Sequence, residues 1–296
     1  MIRVGTASWV EKTLVESGEF YPREVSTAEE RLRFYAGRFT TVEVDSTYYS
    51  LPSMRNASLW VARTPGDFIF HIKAYGALTG HGIDPKTLPK DIRGRIPVGE
   101  QGKRYIYIKD SGLLKEIGQR FREALLPLTG AGKMGVLVFQ FPPWFLYKTS
   151  NLDYLLACKE LMGELPVAVE FRHGSWLAPN RAEPVFRFLE ENGLSYITTD
   201  EPQFDSFATI PFLPRATTDI AYFRFHGRNK ENWLKKGIDT SLRYDYFYSD
   251  DELKGFIAPL RKIDTQVKVT YALFNNCHGS SAVRNARRMK EMLEGE

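Results

Sequence analysis

The chain has little of what the commonest metal and redox sites are built from. Its 296 residues include two cysteines, Cys158 and Cys277, and five histidines. The cysteines show no CxxC spacing, which excludes a thiol–disulfide motif and a zinc knuckle. Cys158 falls in a helical stretch and reads as a small buried hydrophobe. His71, His81, His173, His226 and His278 form no HExxH or comparable spacing. A single metal on Glu43, Glu170, Asp200 and His226 is disfavoured by the cations interleaved with them, so the sequence requires no cofactor. No GxGxxG follows the first strand, which weakens an open dinucleotide-binding sheet. No apolar run approaches about 18 residues, so no membrane span is expected. The opening MIRVGTASW enters a strand with no basic, apolar leader. Together these predict a cytoplasmic, reduced protein. The net charge is only +4. That permits an anionic partner without demanding one, since a nucleic-acid domain usually shows a pI above about 9.

What the chain does have is alternation. Eight short apolar segments read as strands: Ile2–Ser8, Thr41–Asp45, Phe68–Lys73, Val136–Phe141, Val167–Arg172, Tyr196–Thr199, Ala221–His226 and Lys268–Phe274. Helical stretches fall between most of them. One spans Thr27–Arg38 after Ser26, and another Leu113–Leu128 with Ser111 or Gly112 near its cap. NLDYLLACKELMG follows. EPVFRFLEENG ends on Gly193, a fitting C-terminal glycine. SDDELKGFIAPLRKI opens with a capping box, Ser249 and Glu252, and Pro259 should kink or shorten it. SSAVRNARRMKEMLEGE closes the chain. Eight strand–helix alternations in a chain somewhat above the usual 250 or so residues predict one (β/α)₈ TIM barrel over residues 1–296. The sixth helix should be weak or missing, because EPQFDSFATIPFLPRATTD carries three prolines and no helical period. An open doubly wound sheet is the alternative.

About 60 residues separate strands three and four. Within this insertion, residues 74–112, the stretch from Lys86 to Arg104 carries six basic and two acidic residues. Long loops without secondary structure are usually functional or disordered. The insertion is therefore expected to be either a solvated loop or a basic lid.

Strand residues alternate faces, and the face packed on the helices must be apolar. That assigns Val42, Val44, Phe68, Phe70, Ile72, Val167, Val169, Phe171, Ala221, Phe223 and Phe225 to the outside. The opposite set, Glu43, Asp45, His71, Lys73, Gln140, Glu170, Arg172, Arg224 and His226, then points into the barrel. Buried charges must pair, and three carboxylates nearly balance three fixed cations here. Most of these residues lie at C-terminal strand ends, where barrel active sites are built. They could equally form a salt-bridge plug. Just past strand ends come Trp9, Trp144, Trp176, Trp233 and Tyr48. These suit stacking on bases or sugars, or they cap the core. His173, Arg228, Asn275 and Asn276 complete the candidate rim.

The motifs GTASW, VEVDSTYYSLP, TPGDFIFHIKA, VLVFQFPPWF, VAVEFRHGSW, YFRFHGR, YDYFYSDDEL and FNNCHGSSAVRNA occur in order. Through them the chain resembles, nearly end to end, the YecE-like family, domain of unknown function 72. The family usually shows Asn where this chain has Asp45. The resemblance implies a barrel related in shape to xylose isomerase and endonuclease IV. It supplies no function.

Three functions compete on the residues alone. The first is a hydrolase or lyase on a phosphate-bearing ligand, either nucleic acid or a phosphorylated small molecule. Lys73, Arg172, Arg224 and Arg228 would hold phosphate, with Gln140, His173, Asn275 and Asn276 around it. Glu170 or His226 would move the proton, and Glu43 and Asp45 complete the catalytic set. The second is a carbohydrate-active enzyme using Glu170 with Glu43 or Asp45. The third is a non-catalytic binder of single-stranded nucleic acid.

Overall fold

Outward apolar side chains on successive strands give each strand a helix-covered back, and the sheet closes on itself. The computed structural model describes residues 1–295. β1 (Ile2–Ala7), β2 (Thr41–Val44), β3 (Ile69–Lys73), β4 (Met134–Gln140), β5 (Val167–Glu170), β6 (Ser195–Asp200), β7 (Ile220–Phe225) and β8 (Val269–Phe274) form a closed barrel in chain order. All pairings are parallel, and β8 pairs back to β1 through Ile2 opposite Thr270. The open-sheet alternative is therefore set aside. Strand limits differ from the sequence reading by no more than two residues.

The two faces separate as the alternation requires. Val42, Val44, Phe70, Ile72, Val169, Phe171, Phe223 and Phe225 pack in one large cluster between barrel and helices. A second, smaller cluster fills the barrel interior: Val136, Val138, Ala168, Ile197, Tyr222, Tyr271 and Leu273. His71 belongs to this lower interior. Its ring lies edge-on to Tyr271 and Tyr222, with centroids 4.2 and 4.8 Å away. Its Nδ1 accepts the Val136 N–H at 3.1 Å.

Among the described residues, seven helices of nine or more residues surround the barrel: α1 (Ala28–Ala36), α2 (Met54–Ala62), α3 (Ser111–Ala124), α4 (Thr149–Met162), α5 (Ala182–Glu191), α6 (Asp250–Asp264) and α7 (Ser281–Glu294). α1 is capped by Thr27 with Glu30 in a reciprocal box. α3 is capped by Asp110, whose carboxylate accepts the Leu113 N–H, rather than by Ser111 or Gly112. Ser249 and Glu252 form the expected capping box of α6. Pro259 does not shorten α6. Leu253, Phe256, Ile257, Leu260 and Ile263, buried on both sides of it, hold the two halves to the core despite the lost backbone hydrogen bond. None of these helices, nor any other among the described residues, is long and apolar enough to cross a membrane.

Residues 201–219, all described, hold no helix, as their prolines foretold. The insertion, by contrast, is not irregular. It contains short helical turns at Gly76–Thr79, Pro85–Thr87, Lys90–Arg93 and Val98–Gln101, and a bridge between Ile83 and Ile106. Ile83, Leu88, Ile92, Ile96 and Ile106 are buried, although no sequence period marks them. Arg95 pairs with Glu116 of α3, and Arg120 of α3 pairs with Asp91. Part of the basic run thus faces α3.

Candidate functional site

The inward polar residues of β2, β4, β5 and β7 meet above the apolar interior cluster. Arg224 of β7 is fully buried and bridges the barrel. Its Nη2 lies 2.7 Å from Glu43 Oε1, and its Nη1 lies 2.5 Å from Glu170 Oε2 and 3.1 Å from Gln140 Oε1. Tyr222, one turn of the pleat below, donates its hydroxyl to Glu43 Oε2 at 3.0 Å. Arg172, just past β5, donates from Nη1 to Glu201 Oε2 at 2.9 Å, and this nitrogen lies 3.2 Å from Glu170 Oε1. Its Nη2 donates to the Tyr244 hydroxyl at 3.1 Å, and the Trp233 ring lies 5.0 Å from its guanidinium. Lys73 of β3 lies 3.6 Å from Asp45 and 5.1 Å from the centre of the Tyr48 ring.

These contacts set the protonation pattern. Glu43 is pushed up to about 7, by burial first and by the Asp45 charge, against the pull of Arg224. Asp45 is held below its usual range, because Lys73, Arg224 and the Glu43 carboxyl outweigh its burial. Glu43 and Asp45 are close enough to share a proton, which stays with Glu43 near neutrality. Glu170 is driven far below the carboxylate range, its burial outweighed by Arg224, His226 and Arg172. Glu201 rises to about 7 through burial, against Arg172 and the Ile210 N–H. Glu43 and Glu201 both hold a proton up to about neutrality, so Asp45 and Glu170 are the carboxylates that stay ionised beside Lys73, Arg172 and Arg224.

His226 is fully buried beyond β7. Asn275 Nδ2 approaches its Nδ1 at 2.8 Å, and its Nε2 faces Glu170 Oε1 at 3.2 Å. An amide donor on Nδ1 leaves the proton on Nε2, directed at the carboxylate. Burial lowers the imidazole to about 3, despite Glu170. His226 is thus a neutral ring hydrogen-bonded at Nδ1, with Nε2 close to Glu170 Oε1 but making no hydrogen bond.

Several expected rim residues are placed elsewhere. Trp9 is buried against Trp60 and Phe70. Trp176 is sealed, stacked on Phe171 and Phe145 at 4.1 and 5.5 Å, with its indole N–H donating to the Phe145 carbonyl. Both are corrected to core-capping residues, because their loops fold back over the outer barrel face. Arg228 is locked to Asp200 by Nε at 2.9 Å and Nη2 at 2.8 Å, with Glu252 behind it. Asn276 ties β8 to Tyr246 and Asn285 of α7. His173 caps the turn at Gly174–Trp176 and bonds Ser175. Trp144 is exposed at the mouth, Trp233 lies on Arg172, and Tyr48 lies beside Lys73.

Four participants are absent from the candidate set read from the sequence: Glu201, Tyr244, Tyr222 and His81. Glu201 sits where helix six would begin. Its Oε1 accepts the Ile210 N–H at 2.9 Å, folding the helix-less segment back to Arg172. His81 belongs to the insertion and lies between Tyr48 and Trp144, at 5.2 and 5.8 Å between ring centres. Burial, then Lys73 and Arg172, lower it to about 4. Only Tyr222, inward on a strand by strict alternation with Arg224, carried a readable signal. Among the described residues, no group of three or more His, Cys, Asp or Glu side chains is placed to hold a metal ion.

Fold and site together define a parallel (β/α)₈-type barrel whose C-terminal mouth holds a buried, partly protonated charge network. The chain belongs to the family described as protein of unknown function DUF72, which matches residues 3–296. It is 33% identical to the UPF0759 protein YunF of Bacillus subtilis (strain 168), over all of this chain and 96% of that protein. A DUF72 family protein of Thermotoga maritima superposes with a TM-score of 0.78 at 33% identity, covering 99% of each chain. One from Enterococcus faecalis superposes with a TM-score of 0.80 at 28% identity, covering 99% of this chain and 96% of that one.

Proposed function

We propose that the mouth binds an anionic, phosphate-bearing ligand and that the Glu43–Asp45 pair performs acid–base chemistry on it. The observation that carries this reading is the placement of Lys73 and Arg172. Arg224 is fully buried between two carboxylates, whereas Lys73 and Arg172 keep 14% and 11% of their side chains exposed. They end adjacent regions of β3 and β5, with Gln140 of β4 between them. An ammonium and a guanidinium at one mouth, with the Gln140 amide between them, offer donors that suit the oxygens of a phosphate.

The proton chemistry falls to the pair rather than to the residues the sequence favoured. Glu170 is ionised and pinned by cations, and burial keeps the His226 ring neutral and away from solvent. The Asp45 side chain is 27% exposed, with its buried Oδ1 turned to Lys73 at 3.6 Å and making no hydrogen bond. Glu43 behind it holds a proton up to about pH 7, the range in which a general acid is most effective. The carbohydrate reading is less well supported. It needs two carboxyls facing a sugar across about 5–10 Å, and the Arg224 guanidinium lies between Glu43 and Glu170.

The test is a thermal-shift and calorimetric titration with inorganic phosphate and pyrophosphate. Wild-type protein should be stabilised by millimolar ligand, and Lys73→Met and Arg172→Met should each lose that response while remaining folded. An identical response in the variants, or none in the wild type, would sink the reading.

A further inference from the structure

Six aromatic side chains among the described residues are more than about half exposed: Tyr49, Tyr105, Tyr107, Trp144, Phe207 and Phe247. All six lie on segments that follow strands β2, β3, β4, β6 and β7 at their C-terminal ends, and none lies on the opposite face of the barrel. Six large rings left in water at one end of one barrel are unusual for a surface with no ligand.

Four of them connect to the anion seat through direct neighbours. Tyr48 lies against Lys73 and meets Tyr49 edge-on at 5.0 Å. Tyr105 and Tyr107 flank Gly82, the chain neighbour of His81, whose ring meets Tyr48 at 5.2 Å. His81 carries the same row on to Trp144. The row therefore starts at the charged seat and runs outward over the rim. Arginines accompany it: Arg104 lies over Tyr105 at 5.3 Å and, farther round, Arg284 over Phe247 at 4.8 Å.

We propose that the mouth takes the phosphorylated end of a single-stranded nucleic acid, with the terminal phosphate at Lys73 and Arg172 and the following bases stacked along the aromatic rim. The proposal rests on the anion seat described above and adds its substrate class. Every base offers a flat face to an aromatic ring whatever its sequence, and arginines set beside the rings meet the intervening phosphates. The seat is a closed end: Arg224, Glu43 and Glu170 floor it, so a strand enters by its terminus rather than passing through. An acidic oligosaccharide would also stack on rings, but its anionic groups are not concentrated at one end.

The test uses fluorescently labelled oligothymidylates of two to twelve nucleotides, with and without a phosphate at the unlabelled end, at low and moderate salt. Anisotropy should show an affinity that rises over the first few nucleotides and then levels. The terminal phosphate should contribute at least about tenfold, and Lys73→Met should erase that contribution. Trp144→Ala and a Tyr105→Ala/Tyr107→Ala double variant, at exposed positions, should each weaken binding about tenfold or more. Their response to inorganic phosphate should stay unchanged. Binding of phosphate alone, with no affinity for any oligonucleotide, would overturn this inference and leave the anion seat standing. So would equal affinity for phosphorylated and unphosphorylated strands, or preference for an acidic oligosaccharide. Loss of the phosphate response itself in wild-type protein would instead remove the seat on which the inference rests.

Discussion

Arg224 on β7 and Glu43 on β2 meet across the barrel, Nη2 to Oε1 at 2.7 Å, with neither side chain exposed to solvent. The pair is closed off by Glu170 on the other guanidinium nitrogen and by the Tyr222 hydroxyl on the other carboxylate oxygen. Its energetic role follows from asymmetry. Forming such a network roughly offsets the cost of desolvating the charges, whereas removing one member strands the others.

Replacing Arg224 with Met should therefore destabilise the fold by about 3–5 kcal/mol, the cost of leaving buried carboxylates unpaired. Denaturant unfolding measures this. The simultaneous change Glu43→Gln and Glu170→Gln in the Met background should recover part of the loss. A single Arg224→Met change within about 1 kcal/mol of wild type would mean that the network contributes nothing to stability.

Stability should fall as pH rises toward neutrality. Glu43 and Glu201 are both pushed up to about 7. A carboxyl that holds its proton more tightly when folded adds stability below its unfolded pKa, near 4.3. That stability drains away as pH rises through 7. Glu170 and Asp45 are lowered and act in the opposite sense, losing their contribution as pH falls below the usual carboxylate range. Melting temperature should thus peak in mildly acidic solution. Glu43→Gln with Glu201→Gln should flatten the fall between about pH 5 and pH 7, since a neutral amide stands in for the protonated acid. An unchanged fall in that double variant would assign it to other groups.

Asp45→Asn removes the carboxylate beside Lys73 and the partner that raises Glu43. The negative charge nearest Lys73 is lost, and any charge that Glu43 takes up in its place lies deeper, against Arg224. Affinity for pyrophosphate should rise about tenfold, and the Glu43 titration should move to lower pH. Proton uptake measured in buffers of different ionisation enthalpy reports both effects. A weaker pyrophosphate affinity would show that Asp45 itself contacts the ligand.

Gly135 faces the barrel interior, where a β-carbon would meet His71 Nδ1 at 2.5 Å. His71 is fully buried and cannot retreat. Gly135→Ala should cost about 1–3 kcal/mol through overpacking. Adding His71→Ala should not double the loss, because the new methyl occupies part of the space vacated. Additive losses, read from unfolding midpoints, would place the strain elsewhere.

How much of this was legible follows from what kind of signal each residue carries. Glu43, Glu170, Arg172 and Arg224 interrupt apolar strands at every second position, so alternation alone turned them inward. Asp110 was hidden because Ser111 and Gly112 beside it are equally good capping types. Glu201, Tyr244 and His81 lie on segments with no period, and nothing local marks which of their side chains returns to the barrel. Trp9 and Trp176 were misplaced for a related reason. Their position past a strand end is the same whether the loop opens over the mouth or folds back onto Phe70 or Phe171.

The sequence by itself determined the barrel, its handed alternation of apolar backs and polar interior, the missing sixth helix and the four strands that carry charge. Each of these is a periodicity or a steric prohibition, expressed within a few consecutive residues. Only the tertiary structure decided which charges are spent on one another and which remain at the mouth. Arg224 and Lys73 look alike in the chain, one inward cation per strand. Depth in a closed barrel separates them: burial forces Arg224 to be shared between Glu43 and Glu170, while the rim leaves Lys73 a single carboxylate and access to solvent. Desolvation depends on distance from water, which strand alternation does not encode.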